Sequence, residues 1–169
     1  MIGIWLINEW SKIGRPKPLQ IAELGPGRGT LMSDILRVFS RFQLTGADVS
    51  VSLVEVSPHL SKVQQEKLCG EADQGSESGT DAAHFREAQS LHGSTVRWYS
   101  QLTDLPSCFT LYIAHEFFDA LPINKLIKMK EGWREVLVDL DPATSELRYV
   151  LSRDRTPACL YRRVWQFQF

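Results

Sequence analysis

Cysteine is scarce in this chain. Cys69, Cys108 and Cys159 are the only three, too few and too scattered for a disulfide framework or a zinc site, and they suit a reducing compartment. No metal centre is expected. No apolar run is long enough for a membrane span. Neither charge sign is in excess: 19 basic residues stand against 20 acidic ones, a formal net charge of −1, so nothing marks a general polyanion binder and no nucleic-acid partner is expected. No internal repeat is present. Met1 to Asn8 is apolar but short and has no basic leader, so it is neither a signal peptide nor a transit peptide.

What is present is ordinary for a globular domain. The chain has 169 residues, 43% apolar and 23% charged, enough to bury one real core. Leu6, Trp10 and Ile13 share a helical face, and Gly14 and Pro16 stop it. The chain begins inside this helix, which is the pattern of a segment cut from something longer. Leu19 to Leu24 reads as a buried strand running into a glycine-rich turn. Leu31, Ile35, Val38, Phe39 and Phe42 then mark one face of a helix. Val49 to Val54 is a second strand, and Ser57-Pro58 is an N-cap with proline at N1, opening a helix through about Leu68.

Gly70 to Gly93 is rich in Gly, Ser, Glu, Asp and Ala and reads as a surface insertion or mobile loop (70–93). Thr95 to Tyr99 and Phe109 to Ala114 are further strands. Strands alternating with helices argue an α/β fold with a parallel sheet covered on its faces. Residues 1–122 form that core. Ile123 to Leu151 changes character: three β-like runs are punctuated at Glu131-Gly132 and Asp141-Pro142, an antiparallel meander over 123–151. The tail, 152–169, is basic and aromatic without a clear period.

The chemistry concentrates in Glu23-Leu24-Gly25-Pro26-Gly27-Arg28-Gly29, which follows a strand and opens a helix. Gly25, Gly27 and Gly29 permit a tight turn and let a ligand approach the backbone. Amides at the following helix start, from Thr30 on, suit a carboxylate. The spacing differs from that of a dinucleotide site, because Thr30 stands where its third glycine would be. Glu23 would also oppose a pyrophosphate. S-adenosyl-L-methionine carries no phosphate and has a cationic amine, which Glu23 can face. Glu55, at the end of the second strand, can accept hydrogen bonds from both ribose hydroxyls. Arg28 reads as a surface or packing residue of the turn.

A second constellation, His115-Glu116-Phe117-Phe118-Asp119-Ala120-Leu121-Pro122, follows the strand that starts at Phe109. Ligands of doubly wound sheets sit outside the carboxyl ends of their strands. Glu116 and Asp119 there could hold a guanidinium, a planar fork of donors, with one nitrogen in line with a sulfonium methyl. Asp119 serves equally well as a simple turn or cap residue. His115 reads as packing or as a wall of the active site. Phe117 and Phe118 read as core, and His59, His84 and His92 as solvated residues.

Together these strings, with Gly3-Ile4-Trp5, Val54-Glu55-Val56-Ser57 and Gly132-Trp133-Arg134-Glu135, resemble the MidA-like class I methyltransferases, over roughly Gly3 to Leu151. Within that family the resemblance is strongest to the mitochondrial branch of protein arginine methyltransferases that act in complex I assembly. It implies a Rossmann-like class I sheet, incomplete here, and S-adenosyl-L-methionine as cofactor. It also implies symmetric dimethylation of an arginine on a complex I subunit as protein substrate, in the mitochondrial matrix. Class I sheets have the strand order 3-2-1-4-5-7-6, of which positions 3, 2, 1 and 4 are identifiable. From about Cys159 the chain departs from the family. Two other readings stay open: a catalytically silent fragment or non-enzymatic assembly partner, and a small-molecule or nucleic-acid methyltransferase. The last lacks support, since no Asn/Asp-Pro-Pro-aromatic string or basic patch is present.

Overall fold

The computed structural model describes residues 1–70, 76–77 and 84–160, with only the backbone described at 76–77. The chain divides into two compact units, Met1–Asp119 and Ala120–Phe169. In the first, α1 (Ile2–Lys12), β1 (Leu19–Leu24), α2 (Thr30–Arg41), β2 (Val49–Val54) and α3 (Pro58–Cys69) follow in turn. After them come β3 (Ser76–Glu77), β4 (Arg86–Gln89), β5 (Thr95–Tyr99) and β6 (Phe109–Ile113). The sheet order is β3-β4-β5-β2-β1-β6. β5, β2, β1 and β6 run parallel, which is the 3-2-1-4 portion of the expected order. The first unit is therefore built on a mostly parallel α/β sheet.

β1 lies at its centre, and all six of its residues are buried, as a strand covered on both faces requires. Ile21, Val51 and Trp98 join Phe39 and Ile35 of α2 in one apolar core. α1 packs on α2 at Gly3, where an added Cβ would fall 3.0 Å from the Cβ of Val38; the missing side chain permits the approach. Two details of the helical faces differ from the expectation. α1 buries Gly3, Leu6, Ile7 and Trp10, and Ile13 beyond its end is exposed. α2 buries Met32, Ile35, Leu36 and Phe39, and Phe42 is exposed. β6 is only partly buried and exposes Tyr112, because β1 is its only pairing neighbour among the described residues.

The reading of 70–93 as a surface insertion needs correction. Residues 71–75 and 78–83 lie outside the described residues. Residues 86–89, however, form β4, antiparallel to β5, and Arg86 and Ala88 are buried. Arg97 Nε donates to Glu87 Oε2 across that pairing at 2.6 Å. His84 is half-buried rather than solvated: it meets Tyr99 edge-on at 5.9 Å and lies 3.5 Å from Glu87.

The second unit is an antiparallel meander of β7 (Lys125–Met129), β8 (Gly132–Leu140) and β9 (Leu147–Leu151). Gly132, at φ +114°, closes the two-residue turn opposite Met129. Asp141 Oδ1 accepts the amide of Ala143 at 2.9 Å and so tightens the next turn. The buried residue of this unit among the described ones is a carboxylate, Glu135. Bonds from Thr156 and Asn124 hold it below the usual carboxylate range. The tail after 151 contributes a single helical turn, α4 (Pro157–Leu160); residues 161–169 lie outside the described residues.

Candidate functional site

The turn after β1 is built from backbone conformations that glycine adopts freely. Gly25, Gly27 and Gly29 have φ of +61°, +55° and +73°, all in the left-handed region that disfavours a Cβ. The Gly25 amide donates to the carbonyl of Val54 at 3.1 Å, tying the turn to the end of β2. Gly29 is the N-cap of α2, with no side-chain cap and no acidic residue in the first turn. Thr30 opens the helix and is exposed. The start of α2 thus presents amides and a positive dipole end with no side-chain anion of its own.

Glu23 lies at the β1 end of this turn and is 4% exposed. Its Oε2 has no hydrogen-bond partner among the described residues. Burial alone pushes its carboxyl up to about 7. A buried, unpaired carboxylate is a costly arrangement unless something charged or donating meets it. A primary ammonium has the complementary charge and donors.

Glu55, also buried, is by contrast already engaged. The Ser57 amide donates to its Oε1 at 2.8 Å, and Gln64 Nε2 donates to its Oε2 at 3.0 Å. A carboxylate accepts about four hydrogen bonds, so each oxygen keeps capacity for one more. Ser57 caps α3 by accepting the Leu60 amide, with Pro58 behind it. The chain leaving β2 is thereby anchored immediately after Glu55. These residues fit the two ends of S-adenosyl-L-methionine: an unpaired carboxylate for the amine, amides for the carboxylate and a two-oxygen acceptor for a ribose diol.

Gln64 was not anticipated. It is fully buried and also donates to the carbonyl of Gly27 at 2.7 Å. Apolar periodicity has no means of flagging a polar residue on the inward face of α3.

The second constellation is more open. His115, Glu116 and Asp119 follow β6 at the carboxyl end of the parallel strands, and all three are exposed. Glu116 has φ +51°, an uncommon conformation for a residue with a Cβ. Asp119 sits in a single 3-10 turn, Phe118–Ala120. Phe117 and Phe118 are not core as expected. Phe118 is exposed and meets Phe117 edge-on at 5.5 Å. Phe117 is half-buried and rests on Gly25, where an added Cβ would come within 2.8 Å of its ring. That contact brings the two constellations together. Among the described residues no group of His, Cys, Asp and Glu is arranged to hold a metal ion, and no helix is long and apolar enough to cross a membrane.

Comparison with known proteins bears on the same residues. The family model described as "Putative S-adenosyl-L-methionine-dependent methyltransferase" matches residues 1–166. The chain is 51% identical over 154 residues to "Protein arginine methyltransferase NDUFAF7, mitochondrial" of Xenopus tropicalis, covering 89% of this chain and 36% of that protein. The Homo sapiens protein of that name is 45% identical over 166 residues, covering 94% and 36%. The Drosophila melanogaster homolog is 44% identical over 167 residues, covering 96% and 38%. The chain therefore spans little more than a third of the length of these curated relatives. A crystal structure of an uncharacterized protein from Burkholderia thailandensis superposes with a TM-score of 0.49 at 22% identity, covering 79% of this chain and 30% of that one.

Proposed function

Because this chain belongs to the family of S-adenosyl-L-methionine-dependent methyltransferases, we propose that it forms the cofactor-binding part of a protein arginine methyltransferase. The observation that carries the reading is Glu23, a buried carboxylate with an unpaired oxygen at the entrance to the glycine turn. Its relatives' names supply the acceptor class, protein arginine, and the mitochondrial location. Symmetric dimethylation, a complex I subunit as substrate and a matrix setting belong to the same proposal.

Glu23 pairs with the amine of the bound cofactor, the first turn of α2 receives its carboxylate, and Glu55 holds the ribose. When bound, the cofactor supplies a methyl group on a good leaving group. The chain's task is then to hold the acceptor in line and to exclude water. Glu116 and Asp119 bind the guanidinium through charge-assisted bonds that fix its plane. His115 forms part of the wall beside them.

Two measurements on the purified chain test this. Calorimetric titration with S-adenosyl-L-methionine and S-adenosylhomocysteine reads binding. Transfer of a labelled methyl group to an arginine-containing peptide, against the same peptide with lysine, reads chemistry and acceptor. Binding with transfer to arginine supports the reading, and binding with transfer only to lysine overturns the acceptor. Binding without transfer to either favours a cofactor-binding but silent segment, and no binding overturns the role of the glycine turn.

A further inference from the structure

The inward face of α3 has helical spacing but is polar for most of its length: Ser61, Gln64, Gln65, Leu68 and Cys69 are buried. Gln64 is the residue of this face that reaches the candidate site. Nε2 donates to the Gly27 carbonyl at 2.7 Å and to Glu55 Oε2 at 3.0 Å. Oε1 accepts from the indole Nε1 of Trp98, itself fully buried, at 2.9 Å. The orientation of this amide follows from chemistry. An indole only donates and a carbonyl only accepts, so the flipped amide would set donor against donor at Trp98 and acceptor against acceptor at Gly27. Gln64 also abuts Gly29, where an added Cβ would lie 3.4 Å from its Cγ.

One side chain therefore joins the turn after β1 to the carboxylate after β2, with β5 fixing it from behind. The plane of the Glu55 carboxylate is set by two donors, one on each oxygen. That leaves acceptor capacity on both oxygens, which is the demand of two neighbouring hydroxyls.

We propose that Gln64 is a positioning residue for ribose recognition. It holds the Glu55 carboxylate in the plane that accepts both hydroxyls of a nucleoside 2′,3′-diol. The inference rests on the assignment of Glu55 to the ribose made above. It adds that the selectivity for the diol comes from a residue that does not itself touch the ligand.

The test is calorimetric titration of the chain with S-adenosylhomocysteine and with its 2′-deoxy analogue. Wild type is compared with Gln64→Met, which keeps the volume and removes the amide, and with Trp98→Phe, which keeps the amide and removes the donor that orients it. Wild type is expected to prefer the intact ribose by about tenfold or more, the scale of a hydrogen bond to a charged group. Gln64→Met is expected to reduce that preference to within about threefold, and Trp98→Phe to an intermediate value. Equal weakening of both ligands, with the preference retained, would mean that Gln64 only supports the fold, and would overturn the proposal. If Gln64→Met loses its cooperative thermal transition, Trp98→Phe decides by the same ratio. A wild type that binds both ligands equally would remove the ribose role of Glu55 and this inference together. A wild type that binds neither would overturn the proposed function as well.

Discussion

The ring of Phe117 lies against Gly25, closely enough that a methyl group added at Gly25 would fall 2.8 Å from its Cδ2. Gly27, two residues on, has a similar left-handed backbone and nothing within 4 Å of the corresponding position. The two glycines thus separate backbone strain from side-chain collision.

Gly27→Ala should show the backbone effect alone, roughly 1–2 kcal/mol. Gly25→Ala should lose more, because Phe117 must also move. Replacing Phe117 by Ala in the Gly25→Ala background should recover the excess. Urea unfolding of wild type, Gly25→Ala, Phe117→Ala and the double variant forms a double-mutant cycle. Equal effects of Gly25→Ala and Gly27→Ala would show that the Phe117 contact carries no energy.

That contact also marks the limit of what the residues alone disclose. The glycine turn is legible because a left-handed backbone needs glycine at fixed positions, and β1 is legible because Leu19, Ile21, Ala22 and Leu24 make a short, mostly apolar run that leads straight into that turn. β4 is hidden because Arg-Glu-Ala-Gln carries no apolar alternation, although Arg86 and Ala88 do face inward. Gln64 is hidden for a related reason: the inward face of α3 has the right spacing and the wrong polarity. Phe117 is visible as an aromatic residue, but its partner is distant in sequence, and only the fold brings it onto Gly25.

Glu23 should make stability depend on pH. Below about 4.5 its carboxyl is protonated whether the chain is folded or not. Between 4.5 and about 7 the unfolded chain has released a proton that the folded chain retains, so the native state is progressively destabilised as pH rises. The full effect is reached above pH 7 and amounts to roughly 3 kcal/mol at 1.36 kcal/mol per unit. The difference in unfolding free energy between Glu23→Gln and wild type should therefore grow in favour of the variant from pH 4.5 to 7 and then level off. A difference independent of pH would show that the carboxyl titrates normally.

The same proton should appear in binding. If Glu23 meets the cofactor's amine as a carboxylate, binding near pH 6 must release the proton that burial retains. Calorimetry in two buffers of different ionisation enthalpy would detect this release, and it should vanish in Glu23→Gln and above about pH 8. Binding without proton release at pH 6 would place the amine elsewhere.

Glu55→Ala removes a carboxylate and strands two donors, the Ser57 amide and one hydrogen of Gln64. Loss of cofactor affinity by about 1.5–3 kcal/mol is expected from the charge-assisted bonds. A smaller fall in stability should accompany it, because both donors lie in partly or fully buried surroundings. Unchanged affinity in a titration, with the stability loss present, would leave Glu55 as a cap for the α3 entrance and nothing more.

Glu116 combines a left-handed backbone, φ +51°, with an exposed carboxylate at the end of the parallel sheet. A residue with a Cβ is held there against its preference, and such strain gathers at sites where function requires it. Glycine relieves the strain but adds freedom to the unfolded chain, so Glu116→Gly should change stability by no more than about 1 kcal/mol, in the stabilising direction. Glu116→Ala keeps the strain and should gain nothing. Both substitutions, and Glu116→Gln, should cut methyl transfer to an arginine peptide while leaving cofactor affinity close to wild type. Urea unfolding, calorimetry and turnover on the three variants separate the roles. If all three lose stability and affinity together, the carboxylate is a structural group. If turnover survives in Glu116→Gly, the guanidinium is held by other residues, with Asp119 the first to test.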